Sequence, residues 1–462
     1  MKNKCVENSS FRDPSGFIYY ERGKVIRKIN PIYFYEYDFL MNSGLYQELV
    51  DCHLLIEHKE IKRTKQEILL EVARVPYITY PYEWTFEELK DAALLTIRIN
   101  QIAMQYGMIL KDATAYNVQF IGNKPIFIDT LSFMTYEENT PWGAYGQFCR
   151  HFVAPLALMK NIDVRMNELL KNHIDGIPLD LCSSLLGRKG GMISYLHIKL
   201  QNKSIQKHQN DGRNEVASIQ IKKESILNML SMLERQIQSL VLKKYSTEWM
   251  NYYENSNYND SAIRSKESLV LQYCKKLHLK KDDLIFDIGA NDGHFSYLLE
   301  KEVPSSILSF DIDSNSVERS YLNNKGRSSS VLPIIMDIFN PSSGIGFSND
   351  ERKSFMDRGS ATVTLSLAFL HHLVISNNVP FDMVAKFFFQ ITKYLIIEFV
   401  PKEDSQVQLL LKTRRDIFEF YTIDSFKKSF SKYFNICEED KILHSERTLF
   451  LMEAKDEKVS EE

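Results

Sequence analysis

No CxxC pair occurs among the six cysteines, Cys5, Cys52, Cys149, Cys182, Cys274 and Cys437, which lie scattered along the chain. That spacing argues against a zinc site or a disulfide framework and fits a reducing, cytoplasmic setting. There is no stretch of about 18 apolar residues, so no membrane-spanning helix is expected. The N-terminal "MKNKCVENSSFRDPSG" lacks the apolar core that a secretory signal requires. Surplus positive charge is missing too. Lys and Arg number 57 against 60 Asp and Glu, for a net charge of −3. Neither a nucleic-acid tract nor a broadly basic membrane surface is expected from that balance. No internal repeat stands out. What remains is ordinary globular composition, 44% hydrophobic and 25% charged. The 462 residues are too many for one core, so two domains, or three, are expected.

The most polar stretch is "LQNKSIQKHQNDGRNEVASIQ", residues 200–220, which has no apolar periodicity and reads as a linker. After it, Ile226, Leu230, Leu233, Ile237 and Leu240 recur at three- and four-residue spacing, predicting an amphipathic helix that connects two domains. The expected organisation is a first domain at 1–199, a linker and connecting helix at 200–245, a second domain at 246–455 and a tail at 456–462.

In the second domain, strands and helices alternate. "LIFDIG", "ILSFDID", "VLPIIMD", "TVTLSLAF" and "YLIIEFV" are nearly continuous apolar runs, as in parallel strands covered on both faces. "FNICEED" and "RTLFLMEA" are separated by only a few residues, which suits an antiparallel pair. The expected fold is α/β: a doubly wound, mainly parallel sheet ending in an antiparallel hairpin.

Within it, "FDIGANDGHFS" ends a strand at Asp287, turns through Gly289 and Gly293 and opens a helix. Glycine there lets backbone approach a ligand that a β-carbon would repel. Asp311 ends the second strand, where a carboxylate can accept both ribose hydroxyls of a nucleoside, and Asp337 ends the third. These features, with the terminal hairpin, resemble the class I S-adenosylmethionine-dependent methyltransferases over roughly 200 residues. In that family the turn usually carries three alternating glycines; here the middle one is Asn291. The resemblance implies that Asp287, Gly289 and Gly293 hold the methionine end of the cofactor, Asp311 its ribose and Asp337 its adenine, with Asn291 also among the cofactor-binding residues. A dinucleotide site remains the other reading of the glycine turn.

"SLAFLHHLVI" follows strand four on the cleft side of such a sheet. His371 or His372 is a candidate to take a proton from an acceptor hydroxyl, with His372 preferred. The alternative is a histidine that only packs beneath the cofactor. Glu398, Lys402, Asp404, Arg414 and Arg415 are candidates to line the acceptor site, or to form a solvated helix face. Tyr253, Tyr258 and Lys266 are candidates for a lid over the donor.

In the first domain, Thr85 and Glu88 form a capping-box pattern before a helix running to about Tyr106. Then comes "KDATAYNVQFIGNKPIFID", an Asp-bearing loop and two short strands around "GNK". Helix, loop, hairpin and carboxylate resemble the catalytic segment of the protein-kinase-like fold, giving an α+β first domain. The resemblance implies Asp112 as catalytic base, and Asn117 and Asp129 as magnesium ligands, with magnesium–ATP as the nucleotide. "YITYPYEW" stands where that fold holds adenine, and Lys24, Arg27 and Lys28 are candidate phosphate contacts. The match departs at Leu110, Lys111, Thr130 and Leu131, which replace the usual His, Arg, Phe and Gly. A non-catalytic nucleotide-binding or packing module, or a simple turn held by Asp112 and Asn117, are the competing readings.

"PWGAYGQFCRHFVAPLALM" and the "EFVPK" run together resemble an uncharacterised bacterial family of methyltransferases from surface-polysaccharide gene neighbourhoods, and that resemblance implies O-methylation of a sugar or sugar-phosphate in bacterial glycan biosynthesis. The alternatives are a bifunctional kinase and methyltransferase that phosphorylates and then methylates a glycan, or a scaffold whose first domain does no chemistry. The expected partner is a glycan or small-molecule acceptor rather than nucleic acid.

Overall fold

The computed structural model describes residues 4–189, 191–199, 220–242, 260–412 and 415–456. Most of the expected linker at 200–220, the residues Tyr253, Tyr258 and Arg414, and all of the tail after 456 lie outside them. The chain divides into two units. One comprises Met1–Lys244 and Gly344–Arg352, the other Tyr245–Ser343 and Lys353–Glu462.

The first unit opens with β1 (Lys4–Val6), β2 (Gly16–Glu21), β3 (Lys24–Ile29), β4 (His58–Arg63) and β5 (Ile68–Val72). They form one antiparallel sheet in the order β1-β2-β3-β5-β4. Helices Phe34–Asn42 and Leu45–Asp51 connect β3 to β4. Ile29, Ile68 and Leu70 pack from the sheet against Tyr33, Tyr37 and Leu131.

The helix expected after Thr85 spans Phe86–Gln105. Its capping box is formed: Thr85 Oγ1 accepts the Glu88 N–H at 3.2 Å, and Glu88 Oε2 accepts the Thr85 N–H at 2.7 Å. Beyond it, β6 (Met108–Leu110) pairs with β9 (Phe133–Thr135), enclosing the hairpin of β7 (Val118–Ile121) and β8 (Lys124–Phe127).

The helix expected between the two halves spans Lys223–Gln238 and belongs to the first unit. Ile226, Leu230, Leu233 and Ile237 are all buried. Burying each such side chain contributes about 2 kcal/mol. Glu234 accepts from Gln101 of helix Phe86–Gln105 at 3.1 Å, and Lys90 of that helix donates to the Leu240 carbonyl at 2.9 Å. In the short stretch 344–352, the buried Glu351 accepts from Arg12 Nε at 2.7 Å.

The second unit holds β10 (Leu284–Ile288), β11 (Ser306–Asp311), β12 (Val331–Ile335), β13 (Ala361–Ser366), β14 (Thr392–Phe399), β15 (Phe434–Lys441) and β16 (Thr448–Ala454). The sheet order is β12-β11-β10-β13-β14-β16-β15. The first five strands in that order are parallel, and β16 runs antiparallel to both its neighbours. The continuous apolar runs are buried on both faces, whereas β15, at the edge, alternates in burial and is bulged between Ile436 and Glu438. The direction of winding reverses between β10 and β13. In an open sheet the crevice beyond the carboxyl ends of the strands at that point is where ligands bind. Among the described residues no helix is long and apolar enough to cross a membrane.

Candidate functional site

A cleft lies beyond the carboxyl ends of β10, β11 and β13. Asp287, Gly289, Asn291, Asp311, Asp337 and His372 all line it. The turn after β10 explains why. Gly289 has φ +75°, and a β-carbon there would meet the ring of Phe369 at 2.7 Å. Asn291, at φ +53°, takes the left-handed position that asparagine tolerates better than most residues. Its backbone N–H donates to Asp311 Oδ2 at 2.7 Å, while Oδ1 accepts the Asp313 N–H at 2.8 Å. The second strand end is thus tied to the first turn. The Ile312 N–H donates to Asp311 as well, so of a carboxylate's about four lone-pair sites roughly one is left for a hydroxyl donor.

Asp287 is buried and accepts the Ser296 hydroxyl at 2.7 Å. Burial pushes both Asp287 and Asp311 up to about 6, against their ordinary value near 3.8. Exposed apolar Ile312 and Phe339 flank the cleft next to the strand-end carboxylates, and neither was singled out in the sequence. Their signal was readable: an apolar residue left in solvent directly beyond a strand-end acid.

Two of the expected residues stand apart. Gly293 does not line the cleft; it has φ +82°, and a β-carbon would meet Tyr297 at 2.9 Å and Ser320 at 3.0 Å. It serves the close packing of helix His294–Glu300. His371 is buried away from the cleft, and its Nδ1 has no hydrogen-bond partner among the described residues. Its ring lies 4.2 Å from that of His372, centroid to centroid. Burial lowers both histidines, His372 to about 4 and His371 well below its ordinary range. Both are therefore neutral at pH 7, and His372 is the one that faces the cleft.

The residues expected at the acceptor side are differently employed. Glu398 is fully buried and paired with Lys266 at 2.6 Å and Arg447 at 3.4 Å. Asp404 accepts from Arg447 Nε at 2.7 Å. Lys402 pairs with Asp416 at 2.7 Å, and Arg415 is exposed. Lys266, expected in a lid, is a buried residue of the cleft wall instead.

In the first unit the three expected residues do meet. Asp112 and Asn117 share a side-chain hydrogen bond, and the Asn117 amide donates to Ser132 Oγ at 2.9 Å. The Ser132 hydroxyl and the Leu131 N–H, the latter at 3.3 Å, donate to Asp129. Asp129 is also bonded to the guanidinium of Arg27 from β3. Burial alone would raise the Asp129 carboxyl, but Arg27 and Ser132 hold it below its ordinary value. Asp112 moves up, through burial and the charge of Asp129. Leu131 fills the space under the Ser15–Gly16 turn, where a β-carbon on Gly16 would lie 2.9 Å from it. Lys111 donates to Ser15 Oγ at 2.8 Å. In the "YITYPYEW" segment, both the N–H and the carbonyl of Thr79 are bonded to the side-chain amide of Gln119, at 2.8 and 2.9 Å. Among the described residues, no three His, Cys, Asp or Glu side chains are grouped to hold a metal ion.

No family model matches the chain. It is 32% identical over 459 residues to the nodulation protein NoeA of Rhizobium meliloti (strain 1021), covering 96% of this chain and 95% of that protein. Among solved structures, the PH0226 protein of Pyrococcus horikoshii OT3 aligns with a TM-score of 0.32 at 18% identity, covering 44% of this chain and 99% of its own. The bifunctional kinase-methyltransferase WbdD aligns with a TM-score of 0.30 at 14% identity, over 44% of this chain and 42% of its own. Scores this low leave the fold to stand on the strand order itself.

Proposed function

The chain belongs to the family of the nodulation protein NoeA, and from that premise we propose that its second unit is an S-adenosylmethionine-dependent methyltransferase acting on an oxygen of a sugar or sugar-phosphate. The observation that carries the reading is the cleft at the sheet's reversal point, lined by Gly289, Asp311, Asp337 and His372. Its chemistry fits the cofactor. A turn held open by Gly289, a strand-end carboxylate at Asp311 with acceptor capacity left for a ribose hydroxyl, and the apolar Ile312 and Phe339 beside Asp337 suit a nucleoside. Three acids in the wall suit a ligand that carries positive charge.

Bound S-adenosylmethionine supplies an activated methyl group on a sulfonium. The protein's own part is to orient and to move a proton. Asp311 fixes the ribose end, and Asp287, through Ser296, keeps the first turn in register with the helix behind it. His372, which lines the cleft and is neutral, would be the group that accepts the hydroxyl proton of an acceptor as the methyl leaves the sulfonium for that oxygen. The glycan class of the acceptor rests on the sequence resemblance to enzymes of surface-polysaccharide gene neighbourhoods.

Calorimetric titration of the full chain with S-adenosylmethionine tests this, followed by mass-detected methyl transfer to a panel of sugars and sugar-phosphates. Saturable binding, and a sugar whose mass has risen by one methyl in place of one hydrogen, are expected. Absence of binding overturns the reading.

For the first unit, the kinase-like resemblance is best read as a non-catalytic module. The Arg27–Asp129 pair supports this, because magnesium would have to displace a buried guanidinium to reach its principal ligand. The two-way bonding of Thr79 by Gln119 points the same way. Titration with magnesium–ATP is expected to give no binding; phosphate transfer to a glycan would restore the bifunctional alternative.

A further inference from the structure

Glu398 stands at the carboxyl end of β14 with none of its surface exposed. One of its oxygens, Oε2, accepts two donors. The first is the ammonium of Lys266, at 2.6 Å, which lines the cleft and lies 4.9 Å from the centroid of the Phe295 ring. The second is the backbone N–H of Ala368, at 2.7 Å. Its other oxygen faces Arg447, which is in turn bonded twice to Asp404, at 2.7 and 3.1 Å. Two cations and two anions thus form a buried group with no net charge.

Ala368 has φ +50°, a left-handed conformation in which its β-carbon crowds the following carbonyl oxygen. Such a residue persists only where its surroundings hold it. It opens the turn that places Phe369 over Gly289, and the short π-helical turn His372–Ser376 begins a few residues later. Strain and its restraint therefore meet at the root of the segment that carries the cleft-facing histidine.

We propose that Glu398 is a positioning residue for His372: by accepting the Ala368 N–H it holds the left-handed turn that sets where the histidine stands against the acceptor. Lys266 and Arg447 fix Glu398 in turn, so the role lies in its reach to Ala368 rather than in its charge. This rests on the methyltransferase reading.

Replacing Glu398 alone would strand two buried cations and threaten the fold. The test therefore compares two variants that each remove one charge of either sign: Lys266→Met/Glu398→Gln and Lys266→Met/Glu398→Leu. They differ in whether a side-chain oxygen remains, for the Ala368 N–H or for Arg447, and exchange at the Ala368 amide reads the first of these contacts by itself. Folding is checked by circular dichroism. The Gln variant is expected to turn over at least tenfold faster than the Leu variant, with dissociation constants for S-adenosylmethionine within threefold of each other. Independently of activity, the imidazole nitrogen resonances of His372 in histidine-labelled protein are expected to stay near the wild-type position for Gln and to move for Leu. Hydrogen exchange at the Ala368 amide should quicken only for Leu. Equal turnover and equal His372 resonances in the two variants would overturn the proposal. A wild-type chain that binds no S-adenosylmethionine would sink the methyltransferase reading instead, while the resonance and exchange comparison still decides the positioning role.

Discussion

The guanidinium of Arg27 on β3 is bonded to the carboxylate of Asp129, just past the end of β8, and both side chains are nearly closed to solvent. A second guanidinium nitrogen donates to the Ile128 carbonyl at 3.3 Å. The pair closes one of the two positions in the first unit, Asp129 and Asn117, whose sequence setting suggested a metal ligand.

Breaking one side of a buried pair leaves an uncompensated charge, at a cost of about 3–5 kcal/mol. Arg27→Met is expected to destabilise the first unit by about that amount, and Arg27→Met/Asp129→Asn by clearly less than the two single changes combined. Urea unfolding followed by tryptophan fluorescence measures this, because Trp84 and Trp142 are both buried in the first unit. Additive losses would show that the two residues do not depend on each other.

Gly289→Val should abolish donor binding. The left-handed φ of +75° excludes a β-branched residue, and the β-carbon would displace the Phe369 ring that lies 2.7 Å away. The expected loss in affinity for S-adenosylmethionine is at least a hundredfold. Retained affinity in a folded variant would move the donor elsewhere.

Donor affinity should fall on acidification. Burial raises Asp287 and Asp311 to about 6, so both are charged above that pH and take up protons below it. On the proposed function, charged Asp311 would accept from the ribose and both charged carboxylates would face a cation. Binding is therefore fully present above about pH 7 and is lost as pH falls through 6. His372, lowered to about 4, stays neutral across that window. Calorimetry from pH 7.5 to 5 should accordingly show weakening by tenfold or more, with an acid limit of turnover set by binding rather than by the histidine. An affinity flat with pH would mean that neither carboxylate touches the donor.

Thr85→Ala should cost about 1 kcal/mol, the usual loss of an N-cap acceptor. Both arms of the capping box are buried, so no water replaces them. Thermal unfolding of the first unit reports the change, and Thr85→Ser should recover most of it.

The sheet of the second unit was legible because local signals agreed. Unbroken apolar runs mark strands covered on both faces, and acids at their ends mark the cleft rim. The helices Lys223–Gln238 and Phe86–Gln105 were each legible, but their packing on one another was not, since an apolar stripe does not name what it packs against. The pairings that decide chemistry lay further out of reach. Arg27 and Asp129 are separated by 102 residues, and Glu398 and Arg447 by 49. An ion pair leaves no periodicity in sequence, so Glu398 and Asp404 read as acceptor contacts when they belong to a closed network. Of the adjacent His371 and His372, a helical turn can aim only one at a given surface, and spacing alone could not choose which.

The position of β16 has a consequence for how the second unit comes into being. It is the last strand in chain order, yet it lies inside the sheet, between β14 and β15. During synthesis β14 therefore waits with an open edge, and β15 has no strand to pair with, until residues 448–454 have left the ribosome. Arg447, which completes the charge group around Glu398, emerges with them. A nascent chain halted before that point holds every residue that lines the cleft but not the strand that zips the sheet shut. The second unit should thus acquire its cleft in one late, cooperative step, with the unpaired edge of β14 as the surface most in need of a chaperone until then.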